Sequence, residues 1–160
     1  MAEVETHFAS AKRLKNDDVY IQTIKILGLR NVLPILNILP NMVAIINKHR
    51  QVIYANDAFI EAISVTKFED SLGQRPGELL ACIHAHDHIN GCGTGEACRH
   101  CGAILTFLKC QETGQKQENN ANITIKKEGK HVPLDLHVIA SLITVDHEIF
   151  YLIVITDNKK

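Results

Sequence analysis

The sequence predicts one α+β domain, in which a five-stranded antiparallel sheet has flanking helices and is preceded by an N-terminal amphipathic helix. Two observations lead to this prediction. Apolar residues recur at three- and four-residue steps near the amino terminus and after the cysteine-rich stretch, whereas elsewhere they alternate or run together. The 160 residues, of which 46% are hydrophobic, are enough for one well-packed core and few for two.

Charge and hydropathy exclude several function classes. The chain has seventeen Lys and Arg residues and eighteen Asp and Glu residues, so its formal net charge is -1. It therefore lacks the excess of positive charge that is typical of a nucleic-acid-binding protein. Charges run through the first thirty residues, and no stretch reaches about 18 uninterrupted apolar residues. We therefore expect a cytoplasmic protein that binds neither nucleic acid nor a membrane.

Residues 1–15 are predicted to be a flexible N-terminus, and residues 16–39 a helical segment. Gly28 and Pro34 predict a break in that helix, because Pro34 fits only a first helical turn, which Asn31 can cap. The apolar residues at helical spacing are Tyr20, Ile24, Leu27, Val32, Ile35 and Leu39.

Two strands and a short helix are predicted next. Residues 42–46 and 51–55 are apolar runs joined by a polar turn, which is typical of a hairpin. Asn56 or Asp57 can then cap a short helix that continues through Ile63.

The stretch from residue 66 to residue 96 is rich in glycine and histidine and has little periodicity, so it is predicted to be a long loop with a functional or stabilising role. A second helix is predicted to begin near Thr94 or Gly95 and to end at Gly114. Its apolar face is predicted to contain Cys101, Ile104, Leu105 and Leu108. Three strands are predicted to close the chain, at residues 122–127, 134–138 and 149–155.

The phrase Tyr54-Ala55-Asn56-Asp57-Ala58-Phe59, the hairpin before it and the closing three-strand meander resemble a PAS domain. The resemblance covers about residues 36–157, and we place the domain at residues 40–157 with a cysteine-rich insertion at residues 75–103. PAS domains are mostly sensory modules, so the resemblance implies a signalling function and a PAS-like fold without identifying a ligand.

Four cysteines of this insertion form the pattern C-x9-C-x5-C-x2-C. They are Cys82, Cys92, Cys98 and Cys101. Four thiolates are the ligand set of a tetrahedral zinc site and of an iron-sulfur cluster. The last pair is predicted to lie at a helix start, where amide groups favour anionic thiolates. Glycines at positions 91, 93 and 95 allow the backbone to approach a cluster closely.

The same stretch resembles a subgroup of bacterial PAS domains that carry a four-cysteine insertion. The matching phrases are Arg75-Pro76-Gly77-Glu78, Cys82-Ile83-His84-Ala85, Gly91-Cys92-Gly93-Thr94 and Cys98-Arg99-His100-Cys101-Gly102-Ala103. Similar domains in oxygen-sensing histidine kinases hold an oxygen-labile iron-sulfur cluster. The resemblance therefore implies that all four cysteines are cluster ligands. A 4Fe-4S cluster is the favoured type.

A structural zinc is the main alternative, because four cysteines bind zinc readily and a long loop gains stability from such a metal. Only one close C-x2-C pair is present, whereas most zinc modules use two, and this favours the cluster. A redox pair formed by Cys98 and Cys101 lacks the βαβ context typical of thioredoxin-like proteins. Cys110 is interpreted as a half-buried thiol, and His100 as the reserve ligand of a mixed zinc site.

No nucleotide-binding loop, hydrolase elbow or zinc-protease motif is found, so we expect no enzyme activity. We expect a stand-alone cytoplasmic sensor that reports oxygen or redox state to a partner such as a histidine kinase or regulator. The alternative is a protein-interaction module with a structural zinc. The resemblance also implies a homodimer formed through residues 16–39, while a helix that only covers the sheet explains the same pattern equally well.

Overall fold

The computed structural model describes residues 5–63 and 65–159. The helices are α1 (Asn16–Leu27), α2 (Leu33–Ile38), α3 (Asp57–Ala62), α4 (Pro76–Leu79) and α5 (Gly102–Thr113). The strands are β1 (Met42–Ile46), β2 (Val52–Ala55), β3 (Gln117–Lys127), β4 (Lys130–Val145) and β5 (Glu148–Asp157). Short 3-10 helices lie at Phe68–Ser71 and Glu96–His100. In the described ranges, no helix combines the length and the hydrophobicity needed to cross a membrane.

The five strands form one antiparallel sheet in the order β2-β1-β5-β4-β3. This confirms the predicted α+β fold. The last strand along the chain lies at the centre of the sheet, which explains why its sequence is apolar at nearly every position. Its alternate residues bury into two separate cores, with Phe150 on one face and Ile153 on the other.

The two faces of the sheet are covered by different elements. Helices α1 and α2 pack on the face that buries Ile45 and Phe150. Helices α3, α4 and α5 pack on the opposite face, together with the cysteine-rich insertion. The insertion therefore lies on the side of the sheet away from the N-terminal helices.

Strands β3 and β4 are longer than predicted. Their ladder begins with the pair Gln117 and Ala140 and continues to Lys127 and Lys130. The first residues of β3, at positions 118–120, are exposed polar residues. They are held by backbone hydrogen bonds to β4 and not by burial, so a hydrophobic pattern does not reveal them.

The break predicted in the N-terminal helical segment is confirmed, with Pro34 in the first turn of α2. Asn31 does not cap α2, because the turn between the helices already supplies acceptors: the amides of Val32 and Leu33 both donate to Leu29 O. Residues 1–4 of the segment predicted to be flexible lie outside the described residues. Residues 5–15 contain no helix or strand, and we call them the N-terminal strap. The flexibility of residues 1–15 stays a prediction.

The apolar stripe predicted for the N-terminal helices faces outward. The buried residues of α1 include Val19 and Ile26, whereas Ile24 is 61% exposed. We call the exposed stripe the N-terminal apolar face. It consists of Tyr20, Ile21, Ile24, Leu27, Val32, Ile35 and Ile38.

Helix α5 begins later than predicted; of its predicted apolar face, Ile104 is buried and Leu108 packs against the core, whereas Leu105 is exposed. The 3-10 helix at Glu96–His100 precedes it, and the predicted end at Gly114 is confirmed by a left-handed φ of 69°. A side chain at Gly102 would collide with the carbonyl oxygen of Asn120, so the helix start lies directly against β3. This close approach turns Phe107 into the core and leaves Leu105 40% exposed.

Candidate functional site

A cavity of about 390 Å³ lies between the sheet, α5 and the cysteine-rich insertion. Its wall includes the apolar residues Ile46, Phe107, Leu136, Val138, Ile153 and Ile155. The same wall contains all four predicted ligands, Cys82, Cys92, Cys98 and Cys101. The fold thus brings together at one surface four cysteines that span twenty positions of the sequence.

Cys82 is fixed by backbone contacts to the edge strand β3. It follows α4, and its amide donates to Gly77 O at 2.9 Å. On either side, Ile83 N donates to Thr124 O and Lys126 N donates to Ala81 O, so this part of the insertion is paired to the sheet.

Cys92 lies in a loop whose shape depends on glycine. Its neighbours Gly91 and Gly93 have φ values of 88° and 89°, which side chains rarely adopt. A side chain at Gly77 would place its Cβ 2.5 Å from Cys92 Sγ, so the sulfur packs against a bare α-carbon. The glycine at position 77 therefore forms a cradle for the Cys92 thiol.

Cys98 and Cys101 lie at the start of α5, as predicted, but in different elements. Cys98 is buried in the 3-10 helix at Glu96–His100, and Cys101 immediately precedes α5. The amide of Cys101 donates to Cys98 O at 3.2 Å, which closes the turn between them. Both cysteines pack with Ala9 of the N-terminal strap.

Burial dominates the protonation of two of the thiols. It raises the pKa of Cys92 to about 12, while a hydrogen bond from the Gly77 amide lowers this pKa and the neighbouring Cys98 and Cys101 raise it. Burial likewise raises the pKa of Cys82, and the His84 amide acts against it. Without a cation these two sulfurs carry protons at neutral pH, and a bound metal would displace them.

The four thiols share the cavity without converging on one point. Over residues 5–63 and 65–159, no three His, Cys, Asp or Glu side chains lie close enough to hold a single metal ion. A zinc ion with Zn–S bonds of about 2.3 Å requires its sulfurs within about 4 Å of one another. An iron-sulfur cluster is a larger body held at its corners, so its thiolate ligands lie farther apart. Four thiols are a donor set that fits an iron-sulfur cluster and a zinc ion alike.

Two buried arginines lie behind the thiols, and the sequence analysis did not single them out. Arg75 is 0% exposed. Its guanidinium donates at 3.0–3.3 Å to the backbone carbonyls of Ser10, Lys12, His49, Asn90 and Cys92. Burial, together with the nearby charges of Arg50 and Arg13, lowers the pKa of Arg75 to about 9. The group still carries its charge at neutral pH.

Arg50 lines the cavity itself and is 6% exposed. Its Nη2 donates to Ser10 O at 2.8 Å and to Cys92 O at 3.4 Å, but its buried Nε has no hydrogen-bond partner among the described residues. Nearby, Arg13 pairs with the carboxylate of Glu78. The guanidinium groups of Arg13, Arg50 and Arg75 therefore lie close together, with the Glu78 carboxylate among them.

The N-terminal strap lies across the insertion. The amides of His7 and Ala9 donate to Thr94 O and Gly93 O at 2.9 and 3.0 Å. His88 donates from Nε2 to Glu5 O at 2.9 Å. The strap continues directly into α1, so one covalent segment connects the cysteine site with the N-terminal apolar face.

The remaining candidates have other surroundings. Cys110 is 0% exposed in the core between α5 and the sheet and is not part of the cavity wall, so it is fully buried and not half-buried as expected. His100 lines the cavity beside the thiols. His84 also lines it, and its Nδ1 lies within hydrogen-bond distance of Asp87 Oδ2, at 2.6 Å.

Comparison with known proteins identifies the fold and the family. The profile of the family described as PAS domain matches residues 40–159. The PAS domain of nitrogen regulation protein NR(II) from Vibrio parahaemolyticus has 19% identity and a TM-score of 0.56, with 79% of this chain and 96% of that chain covered. A PAS domain from a Colwellia psychrerythraea protein has 14% identity and a TM-score of 0.54, with 84% and 99% covered.

A PAS domain from a two-component sensor histidine kinase has 8% identity and a TM-score of 0.54, with 83% of this chain and 98% of that chain covered. At these identities the structures are evidence of the fold alone. No curated protein matches the chain. The family profile covers three quarters of the sequence. The chain therefore belongs to the PAS domain family.

Proposed function

We propose that this PAS domain is a sensor that binds a 4Fe-4S cluster through Cys82, Cys92, Cys98 and Cys101 and reports oxygen or redox state to a partner protein. The observation that carries the proposal is the shared cavity, whose wall contains all four thiols. When bound, a cluster of this kind supplies electron transfer and sensitivity to oxidants. The protein supplies the ligands, the charge around them and the response.

The charge around the thiols supports an anionic occupant. The buried guanidinium groups of Arg50 and Arg75 bond to neutral backbone carbonyls, so their positive charges favour an anion nearby. A cluster or a zinc ion with four thiolates is negatively charged overall and suits these surroundings. The Gly77 and His84 amides already donate to two of the sulfurs, as donors near metal-bound thiolates do.

The N-terminal strap offers a route for the signal. Its hydrogen bonds to Gly93 and Thr94 depend on a loop that the cluster would hold in place. Loss of the cluster would release that loop and then the strap, which is an order-to-disorder switch of a common type. The released strap would change the position of α1 relative to the sheet.

The N-terminal apolar face is the surface on which we expect that change to act. Exposed apolar patches of this extent mark interaction sites, and a stripe along two consecutive helices suits pairing with a second copy about a two-fold axis. In this proposal the homodimer forms through α1 and α2. A histidine kinase or regulator then reads the dimer state.

The test is anaerobic purification, followed by iron, zinc and acid-labile sulfide analysis and a visible spectrum on one sample. We expect iron and sulfide in equal amounts, four of each per chain, with broad visible absorbance that bleaches in air. About one zinc per chain without sulfide would contradict the proposal and make the metal a structural one. Sedimentation of the same sample with and without air tests the dimer.

A further inference from the structure

We propose that Arg50 tunes the redox potential of the bound cluster by donating its Nε–H to a sulfur in the half of the site formed by Cys92 and Cys98. This inference rests on the proposed function and deepens it. It assigns a role to a side chain that supplies no ligand.

The first observation is an unsatisfied donor. Buried N–H groups in native proteins nearly always have an acceptor, yet Arg50 Nε has none among the described residues, although Nη2 of the same guanidinium has two carbonyl acceptors. Because Arg50 lines the cavity, the missing acceptor belongs to whatever fills it.

The second observation is the place of the guanidinium. An added Cβ at Gly93 would lie 3.0 Å from Arg50 Nε and 2.5 Å from Ile104 Cδ1, so Arg50 packs directly on the loop between Cys92 and Cys98. Burial lowers the pKa of Arg50, and the nearby Cys92 and Cys98 act against that shift. The guanidinium therefore lies against the loop that carries these two cysteines.

The neighbouring Arg75 has a different role. All three of its guanidinium nitrogens already donate to backbone carbonyls, and the residue does not line the cavity. Arg75 holds the loop and the strap together. The Nε–H of Arg50, in contrast, can donate to a group bound in the cavity.

A fixed positive charge and a hydrogen bond at sulfur both stabilise the reduced form of a cluster, which carries one more negative charge. We therefore expect Arg50→Gln to lower the midpoint potential. A tenfold change in the redox equilibrium constant corresponds to about 59 mV for a one-electron couple, and we expect a shift of that size or larger.

Arg99→Gln is the matched control. Arg99 lies next to Cys98 in sequence, but its side chain is exposed and paired with Glu96. Solvent screens such a charge, so we expect the midpoint potential of this variant to stay within a small fraction of the Arg50→Gln shift.

A spectroscopic readout locates the hydrogen bond itself. The protein is labelled with ¹⁵N at arginine Nε only, reduced, and examined by pulsed electron paramagnetic resonance. We expect a ¹⁵N coupling to the cluster in the wild type and in Arg99→Lys. In Arg50→Lys the coupling should vanish, because lysine keeps the charge but has no Nε.

The outcomes separate the two proposals. A wild type without iron and sulfide refutes the proposed function. A cluster-loaded wild type without ¹⁵N coupling, or a coupling that persists in Arg50→Lys, overturns the role of Arg50 alone, and so does an unchanged potential in cluster-loaded Arg50→Gln. If Arg50→Gln does not fold, the wild-type coupling decides the question.

Discussion

The sheet buries apolar side chains on both faces, whereas the cysteine-rich insertion buries arginine, cysteine and the bare α-carbons of glycine. Phe150 and Ile153 are typical of the first region, and Arg75 and Gly77 of the second. Hydrophobic burial stabilises the sheet whatever the cavity contains. The insertion buries Leu79 and Leu80 but otherwise relies on side-chain bonds to backbone carbonyls, and under the proposed function its four thiols would gain stability from a bound cluster.

Among the changes that test this difference between the sheet and the insertion, Cys92→Ala should have the largest effect. This change removes a ligand from the insertion and leaves the sheet intact, so we expect complete loss of iron, sulfide and visible absorbance with unchanged far-ultraviolet circular dichroism. Cys110→Ser is the matched control, because Cys110 lies in the sheet core and outside the cavity wall. Cluster loss in the control with retention in Cys92→Ala would show that the ligand set is wrong.

Arg75→Leu should have the next largest effect, on the stability of the apo-protein. Five backbone carbonyls lose their common donor, and breaking a buried charged network of this kind costs about 3–5 kcal/mol. Urea unfolding measures the loss, and Arg99→Leu on the surface should change the free energy of unfolding by less than about 0.5 kcal/mol. Equal effects of the two changes would mean that Arg75 does not hold the insertion.

A pair of glycine variants tests the cradle under Cys92. Gly77→Ala places a Cβ 2.5 Å from Cys92 Sγ, so we expect a loss of about 1–3 kcal/mol and a lower cluster content. At Gly95 the new Cβ would meet Asp87 Cβ at 3.5 Å, an ordinary contact, so Gly95→Ala should bind as much iron as the wild type. Iron per chain after reconstitution is the measurement. A Gly77→Ala protein that binds as much iron as the wild type would show that the Cys92 thiol does not need a glycine at position 77.

The smallest expected effect is on acid sensitivity. Burial alone would raise the pKa of Glu78, but hydrogen bonds from Arg13 and the Arg75 amide hold it below its usual range. A carboxyl with a lowered folded-state pKa contributes stability above its unfolded pKa, near 4.3, and this stability is lost as the pH falls through the folded value. Glu78→Gln should therefore flatten the apo-protein stability profile below about pH 4.3.

Glu148 provides the comparison from the sheet. Burial raises its pKa as well, and the hydrogen bonds from Lys25 and Gln22 outweigh this, but its side chain is one third exposed. Solvent screens such a pair, so Glu148→Gln should change the profile by less than about 0.5 kcal/mol. A larger acid effect from Glu148 than from Glu78 would reverse the predicted order of the two regions.

The sequence predicted the sheet better than the insertion, for a physical reason. Strands β1 and β2, the Asn56 cap and the end of α5 at Gly114 follow from alternation, side-chain capping and backbone conformation, which are local properties.

The rest depends on contacts between residues distant in sequence. Arg75 bonds to Lys12, sixty-three positions away, and no periodic pattern marks such a contact. The start of α5 depends on the close approach of Gly102 to the backbone of β3. For Arg75, the available sequence signal is Glu78, three positions later, which accepts a hydrogen bond from the Arg75 amide at the start of α4.

The most direct test of the central claim is amide hydrogen exchange on the anaerobic protein before and after exposure to air, with iron and sulfide determined on both samples. We predict that residues 5–15 and 75–103 lose protection as the cluster is lost, while β1, β4 and β5 keep theirs. Protection that falls equally in the sheet and the insertion, or stays unchanged in the strap when iron and sulfide are lost, would contradict the account.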